Sequence, residues 1–268
     1  MRFGLHVPQL GALGEPAALV DLARRAEDAG WDACFIWDHV MHRGDPPACD
    51  PWVALGAMAT TTERILLGPM ITPLPRRRPW KVAREVATLD RLAGGRTIFG
   101  VGIGTDAYGE FSDFDEPAAD DRTRAAMLDE ALEVMTALWT GERVRHEGPY
   151  FTVDDVIHTP APVQRPRVPI WCAAVWPHRA PLRRAARWDG VIPVGTLTPA
   201  DVAEMCTEIA RQRDATQAFD VALPSSAATT PSISEYEAAG ATWWLQSIAP
   251  TDDLAATQAV VDAGPPGT

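Results

Sequence analysis

The feature that most constrains this chain is a repeat of pattern rather than of residues. Continuously apolar, β-type runs at 3–7, 33–37, 65–71 and 97–103 begin 30, 32 and 32 residues apart. Each interval has room for one strand, one helix and two loops. Runs that are apolar throughout, rather than alternating, are those of parallel strands covered on both faces. Amphipathic helices fall between them. Leu19, Leu22, Ala23 and Ala26 recur at i, i+3, i+4 and i+7. Val82, Val86 and Leu89 do the same before Gly94-Gly95, and Leu128, Leu132, Met135 and Leu138 before Gly141, where glycine is a stop signal.

The period stretches after the fourth run. The next strand, 169–175, begins 72 residues after Thr97. Between them lie an acidic loop, a long helix near 122–139 and a Pro-rich excursion with room for a short hairpin. Strands at 190–194, 219–223 and 242–248 bring the count to eight. Eight β/α units favour a closed (β/α)8 TIM barrel over a doubly wound sheet. The chain of 268 residues reads as one barrel domain, with an insertion at about 142–168 between strands 4 and 5.

Composition sets outer bounds. The net charge of −12 disfavours nucleic acid and anionic membranes as partners. No apolar run is long enough to span a bilayer, and the first residues read as a strand rather than a signal peptide, which predicts a cytoplasmic protein. The four cysteines are scattered and read as free thiols.

In such a barrel the chemistry sits at the C-terminal ends of the strands. Strand two ends at Trp37-Asp38-His39. A histidine there can move a proton near neutrality, or it can cap the following loop. Neighbouring side chains on a strand point apart, so Asp38 need not touch His39. Gly100, Gly102 and Gly104 alternate on strand four. They would let a flat ring or a phosphate approach the backbone, or they fit a crowded barrel interior. Thr105 stands where a dinucleotide fingerprint requires glycine, and no phosphate loop or Gly-x-Ser-x-Gly elbow is present. The histidines are too dispersed for a metal site. Trp37, Trp176, Trp243 and Trp244 lie on or near strand ends and could wall a planar cofactor or simply pack the core. Arg76-Arg77-Arg78 could face a cofactor tail or form a solvated turn.

These segments in this order resemble the bacterial luciferase-like flavin and deazaflavin oxidoreductases. The likeness runs through RFGLHVPQ, AEDAGWDACFIWDHV, residues 50–96 and GVGIG. It continues through MLDEALEVMTALWTG, GPYF, PVQRPRVPIW and RRAARWDGVIP, and fades after Pro193. The resemblance implies a TIM barrel with an isoalloxazine-type ring at its C-terminal mouth. It implies a bulge at Pro69-Met70-Ile71-Thr72, often with a non-prolyl cis peptide, behind the ring. Gly102, Gly104 and Thr105 would lie near the ring, and His39, beside Asp38, would serve as acid or base. Where some deazaflavin dehydrogenases carry a catalytic glutamate this chain has Thr105-Asp106, so Asp106 and Glu110 are the substitutes within reach.

The resemblance leaves three functions open. One is hydride transfer between coenzyme F-420 and a small organic substrate. Another is an FMN-dependent monooxygenase fed by a flavin reductase partner. The last is a non-catalytic flavin-binding barrel. The resemblance also implies a homodimer. Substrate choice is expected from the loops 106–121, 144–168 and 227–234.

Overall fold

The computed structural model describes residues 1–44, 46–116, 120–214, 216–225 and 231–266. In chain order the elements are β1 (Arg2–Val7), α1 (Pro16–Asp28), β2 (Ala33–Ile36), α2 (Pro51–Thr61), β3 (Leu66–Pro69), β4 (Thr72–Pro73), α3 (Pro79–Leu92), β5 (Phe99–Gly102), α4 (Asp121–Leu138), β6 (Arg143–Glu147), β7 (Thr152–Ile157), β8 (Ile170–Val175), α5 (Arg179–Ala185), β9 (Gly190–Val194), α6 (Pro199–Ala210), β10 (Asp220–Ser225), α7 (Ile233–Ala238), β11 (Trp243–Ser247) and α8 (Leu254–Asp262).

Nine of these strands form one parallel sheet in the order β3-β2-β1-β11-β10-β9-β8-β5-β4. β3 and β4 are two pieces of a single barrel strand, interrupted at Met70 and Ile71, whose peptide bond is cis. A parallel bridge from Leu67 of β3 to Thr97, just ahead of β5, links the two sides of the sheet and closes the ring. The result is the expected (β/α)8 barrel, with the third strand broken where the sequence reads as one continuous run.

The helices bury the stripes that their periodicity marks. Leu19, Leu22, Ala23 and Ala26 of α1 are all at most 1% exposed. Pro16 opens that helix, where a missing N–H costs nothing. On α4, Leu128, Leu132, Met135 and Leu138 are all buried, and the Asp120 carboxylate caps the first turn through Arg122 N and Thr123 N. Thr198 and Asp201 form a capping box on α6.

The main core lies between strands and helices. A second cluster fills the barrel interior, where Phe35, Trp171 and Trp243 meet in tilted and edge-on contacts with ring centroids 5.3–6.1 Å apart. Trp243 begins β11, so it plugs the lower interior rather than walling the mouth. Gly100 serves the same packing: a Cβ there would lie 2.5 Å from Met70 Sδ and Pro69 O.

β6 and β7 form an antiparallel hairpin in the long interval between β5 and β8. Val144, Phe151 and Val153 join it to the main core. The buried Glu130 of α4 accepts from Phe151 N at 2.7 Å and Tyr150 N at 3.1 Å. No helix among the described residues is long and apolar enough to cross a membrane.

Candidate active site

A cavity of ≈720 Å³ opens at the C-terminal ends of the strands, and all eight barrel strands contribute to it. His6, the Trp37–His39 stretch, Met70 and Ile71 line one part. Gly102, Ile103, Gly104 and Thr105 follow β5, while Ala173–Val175, Ile192–Gly195, Pro224 and Ser247 complete the ring. The wall is mostly apolar. A volume of this size holds a drug-sized or cofactor-sized molecule. A Cβ on Gly102 would fall 3.2 Å from both Ile71 Cγ2 and Ala173 Cβ, so glycine keeps this part of the wall flat. Arg124 and Arg184 are the arginines that reach the cavity. Arg124 pairs with Asp121, and Arg184 with Asp129.

His39 stands in this wall with its backbone carbonyl held by Gln9 Nε2 at 2.7 Å. Its Nδ1 lies 2.9 Å from Glu110 Oε2. The other oxygen of Glu110 accepts from Val40 N at 2.6 Å and pairs with Arg76 Nη1 at 2.7 Å. Burial pushes the Glu110 carboxyl up, but the His39 hydrogen bond and the Arg76 charge outweigh it and hold it below the usual carboxylate range. Tyr108 packs edge-on to His39 and stacks on His42 at 4.2 Å.

Asp38 faces the other way. Its carboxylate accepts from Thr72 Oγ1 at 2.8 Å, Trp52 Nε1 at 3.2 Å, Arg77 Nη2 at 2.7 Å and Arg76 Nη2 at 3.3 Å. That side chain is fully buried. It latches the loop after β4 to the end of β2, and each of its oxygens accepts from two donors. Arg76 and Arg77 thus turn inward onto this carboxylate rather than forming a solvated turn.

His6 forms the neighbouring wall. Nδ1 receives the Trp37 indole N–H at 3.4 Å, and Nε2 lies 3.0 Å from Met70 O. An indole only donates and a carbonyl only accepts, so the proton sits on Nε2. Burial pushes the ring's pKa down to about 4.

Of the residues singled out in the sequence, Asp38, His39, Met70, Ile71, Gly102, Gly104 and Thr105 line the cavity, Asp38 with its carboxylate buried among its donors. Thr72 does not: it is wholly buried behind the wall, with its hydroxyl on Asp38. The cis peptide falls between Met70 and Ile71, where the resemblance implies one. Gly104 has φ +75, and a Cβ there would meet Phe111 and Pro73 at 2.9 Å, so packing also requires it. Asp106 caps its own loop through Phe111 N and Ser112 N. The loop 106–121 supplies Ala107, Tyr108, Glu110 and Asp121, but no described residue of 142–168 lines the cavity. Positions 227–230 lie outside the described residues.

Fold and cavity together define a (β/α)8 barrel with a ligand-sized site at its C-terminal mouth. The chain belongs to the luciferase-like monooxygenase family, whose model matches residues 1–264. It is 36% identical over 206 residues to an F420-dependent glucose-6-phosphate dehydrogenase of Microbacterium testaceum, covering 74% of this chain and 56% of that protein. A protein of the same name from Beutenbergia cavernae is 40% identical over 160 residues, covering 58% and 45%. The chain therefore spans about half the length of the curated relatives it matches. Two solved structures at 20% identity share the fold. One is an F420-dependent secondary alcohol dehydrogenase with an F420-acetone adduct, at TM-score 0.81 over 98% of this chain and 96% of that one. The other is the coenzyme F420 dependent tetrahydromethanopterin reductase of Methanopyrus kandleri, at 0.78 over 98% of both chains.

Proposed function

We propose that this chain is an oxidoreductase that uses coenzyme F-420 to move a hydride to or from a small organic substrate. The observation that carries the reading is the mouth itself: a mostly apolar cavity with His39 held in its wall by the buried carboxylate of Glu110. The names of the relatives favour the deazaflavin over FMN.

The residues present fit such a cofactor. Ile71, Gly102 and Ala173 offer a smooth apolar surface to a ring. Thr105, Arg124 and Arg184 offer polar groups to a phosphate-bearing tail. When bound, the deazaflavin supplies a two-electron hydride donor or acceptor. His39 takes the proton of a substrate hydroxyl as it is oxidised and returns it when a carbonyl is reduced. The surrounding apolar wall keeps water away from that exchange.

A second reading, an FMN-dependent monooxygenase served by a reductase, draws on the description of the family. Fluorescence titration of the purified protein with FMN and with F-420, each oxidised and reduced, separates the two. Micromolar binding of F-420 alone is the expected result. Binding of FMN alone would move the protein to the second reading. If neither binds at micromolar concentration, both readings fall.

A further inference from the structure

The two oxygens of Glu110 face groups of different kinds. Oε1 meets the Val40 N–H at 2.6 Å and the Arg76 guanidinium at 2.7 Å, both of which only donate. Oε2 meets His39 Nδ1 at 2.9 Å. The Glu110 side chain is 2% exposed, so its partners are these and not bulk water. An ionised carboxylate only accepts, so the hydrogen between Oε2 and Nδ1 belongs to the imidazole. In neutral His39 the lone pair then sits on Nε2. That atom has no hydrogen-bond partner among the described residues, and its ring lines the cavity.

We propose that Glu110 is a positioning residue that sets the tautomer of His39, and that Arg76 and the Val40 N–H decide which of its oxygens does so. The inference rests on the reading of His39 as the proton-transfer group. Asp38, the sequence neighbour of His39, has no share in this role, because its carboxylate is surrounded by four other donors. The partner comes instead from 71 residues further along, on the loop after β5.

The arrangement makes one substitution unusually informative. Glu110→Gln keeps the shape but leaves a single acceptor oxygen. The Val40 N–H requires an acceptor at the Oε1 position, and the Arg76 charge beside it favours the oxygen over the NH2 there. The amide NH2 then falls opposite His39 Nδ1, which must accept, and the ring proton moves to Nε2. A neutral ring with its proton on Nε2 cannot take a proton from a substrate hydroxyl.

The test is 15N NMR of histidine-labelled protein, read without cofactor, followed by turnover. The parent is expected to show His39 protonated on Nδ1, and Glu110→Gln to show it protonated on Nε2. Turnover in the variant should fall by up to about 10⁴-fold in kcat, the size seen where an amide replaces the carboxylate partner of a catalytic histidine. KM and cofactor affinity should stay within about threefold, since neither contact is removed. Glu110→Asp, which can only accept, should keep the Nδ1 tautomer and recover part of the lost kcat. A parent spectrum with the proton on Nε2 overturns the proposal outright, whether or not the glutamine variant folds. A glutamine variant that keeps the proton on Nδ1 overturns it too, whereas an inverted tautomer with unchanged kcat leaves the tautomer assignment standing and overturns the reading of His39 as the proton-transfer group. The spectra do not depend on cofactor identity, so failure of the deazaflavin reading leaves them interpretable.

Discussion

Asp38 and His39 are adjacent in sequence yet do opposite work, because successive side chains at a strand end point to opposite faces. His39 faces the cavity, while the Asp38 carboxylate gathers two guanidinium groups, a hydroxyl and an indole behind the wall. Removing it leaves the Arg76 and Arg77 charges close together and under-compensated in a buried place. Asp38→Ala should therefore destabilise the fold by about 3–5 kcal/mol, measured by urea denaturation. A loss below about 1 kcal/mol, as for a surface pair, would mean that the latch contributes little. His6 gives a pH-dependent prediction. Its ring is held neutral, since burial lowers its pKa from 6.5 to about 4 against the smaller upward pull of the Met70 carbonyl. Between those two values the unfolded chain binds the extra proton and the folded chain does not. The contribution of the neutral ring is therefore complete above pH 6.5 and is lost as pH falls toward 4. His6→Gln should flatten that decline by no more than about 3 kcal/mol, less in so far as cavity water reaches the ring. Denaturation of parent and variant at pH 7 and at pH 4.5 checks it; parallel losses would discount His6. The candidate histidine was legible in the sequence because strand ends carry barrel chemistry. Glu110 was in view only as a substitute for a catalytic glutamate; its contact with His39 was not, since that depends on how a loop after β5 returns across the mouth. The inward turn of Arg76 and Arg77 was equally hidden, because a run of three arginines reads as solvated until a buried carboxylate is found beneath it.

At the scale of elements, the strand-and-helix alternation was readable because burial on both faces of a strand and on one face of a helix leave different periods. Eight strand positions follow from it, within a residue or two at their ends. The break between β3 and β4 came only from the family resemblance and not from the pattern, because hydropathy records burial and not backbone conformation: Met70 and Ile71 are apolar whichever path the chain takes. The tryptophans mislead for a related reason. A residue near a strand can sit at either end of it, and Trp243 begins β11 instead of ending it. Strand β5 yields a test of the cavity wall. Gly102→Val would place a branched side chain between Ile71 and Ala173, where even one Cβ is at 3.2 Å. Deazaflavin affinity should drop by more than about tenfold, or 1.4 kcal/mol, in the same fluorescence titration. Unchanged affinity in a folded variant would show that the ring does not lie against this surface.

For the whole molecule, the open question is whether the β6–β7 hairpin behaves as an appendage or as part of the barrel. The sequence marks it as an insertion over one end, yet its residues supply nothing to the cavity wall and pack against the outer helices instead. An isolated two-stranded hairpin is marginal in water, so its order must come from what it touches. Val144, Phe151 and Val153 are each at most 7% exposed, and Trp80 of α3 meets the Phe151 ring edge-on. Glu130 of α4 holds the turn through two backbone N–H groups and lies 3.1 Å from His146 Nε2. These contacts couple hairpin and barrel, and native-state hydrogen exchange should show the hairpin amides opening together with those of β8. Glu130→Ala removes the acceptor of two sheltered N–H groups at a cost of about 1–3 kcal/mol, which would speed hairpin exchange by about 10–100-fold while β8 stays protected. If the parent hairpin already exchanges far faster than β8, the insertion is energetically separate. The apolar contacts of Val144, Phe151 and Val153 would then be too weak to join it to the barrel.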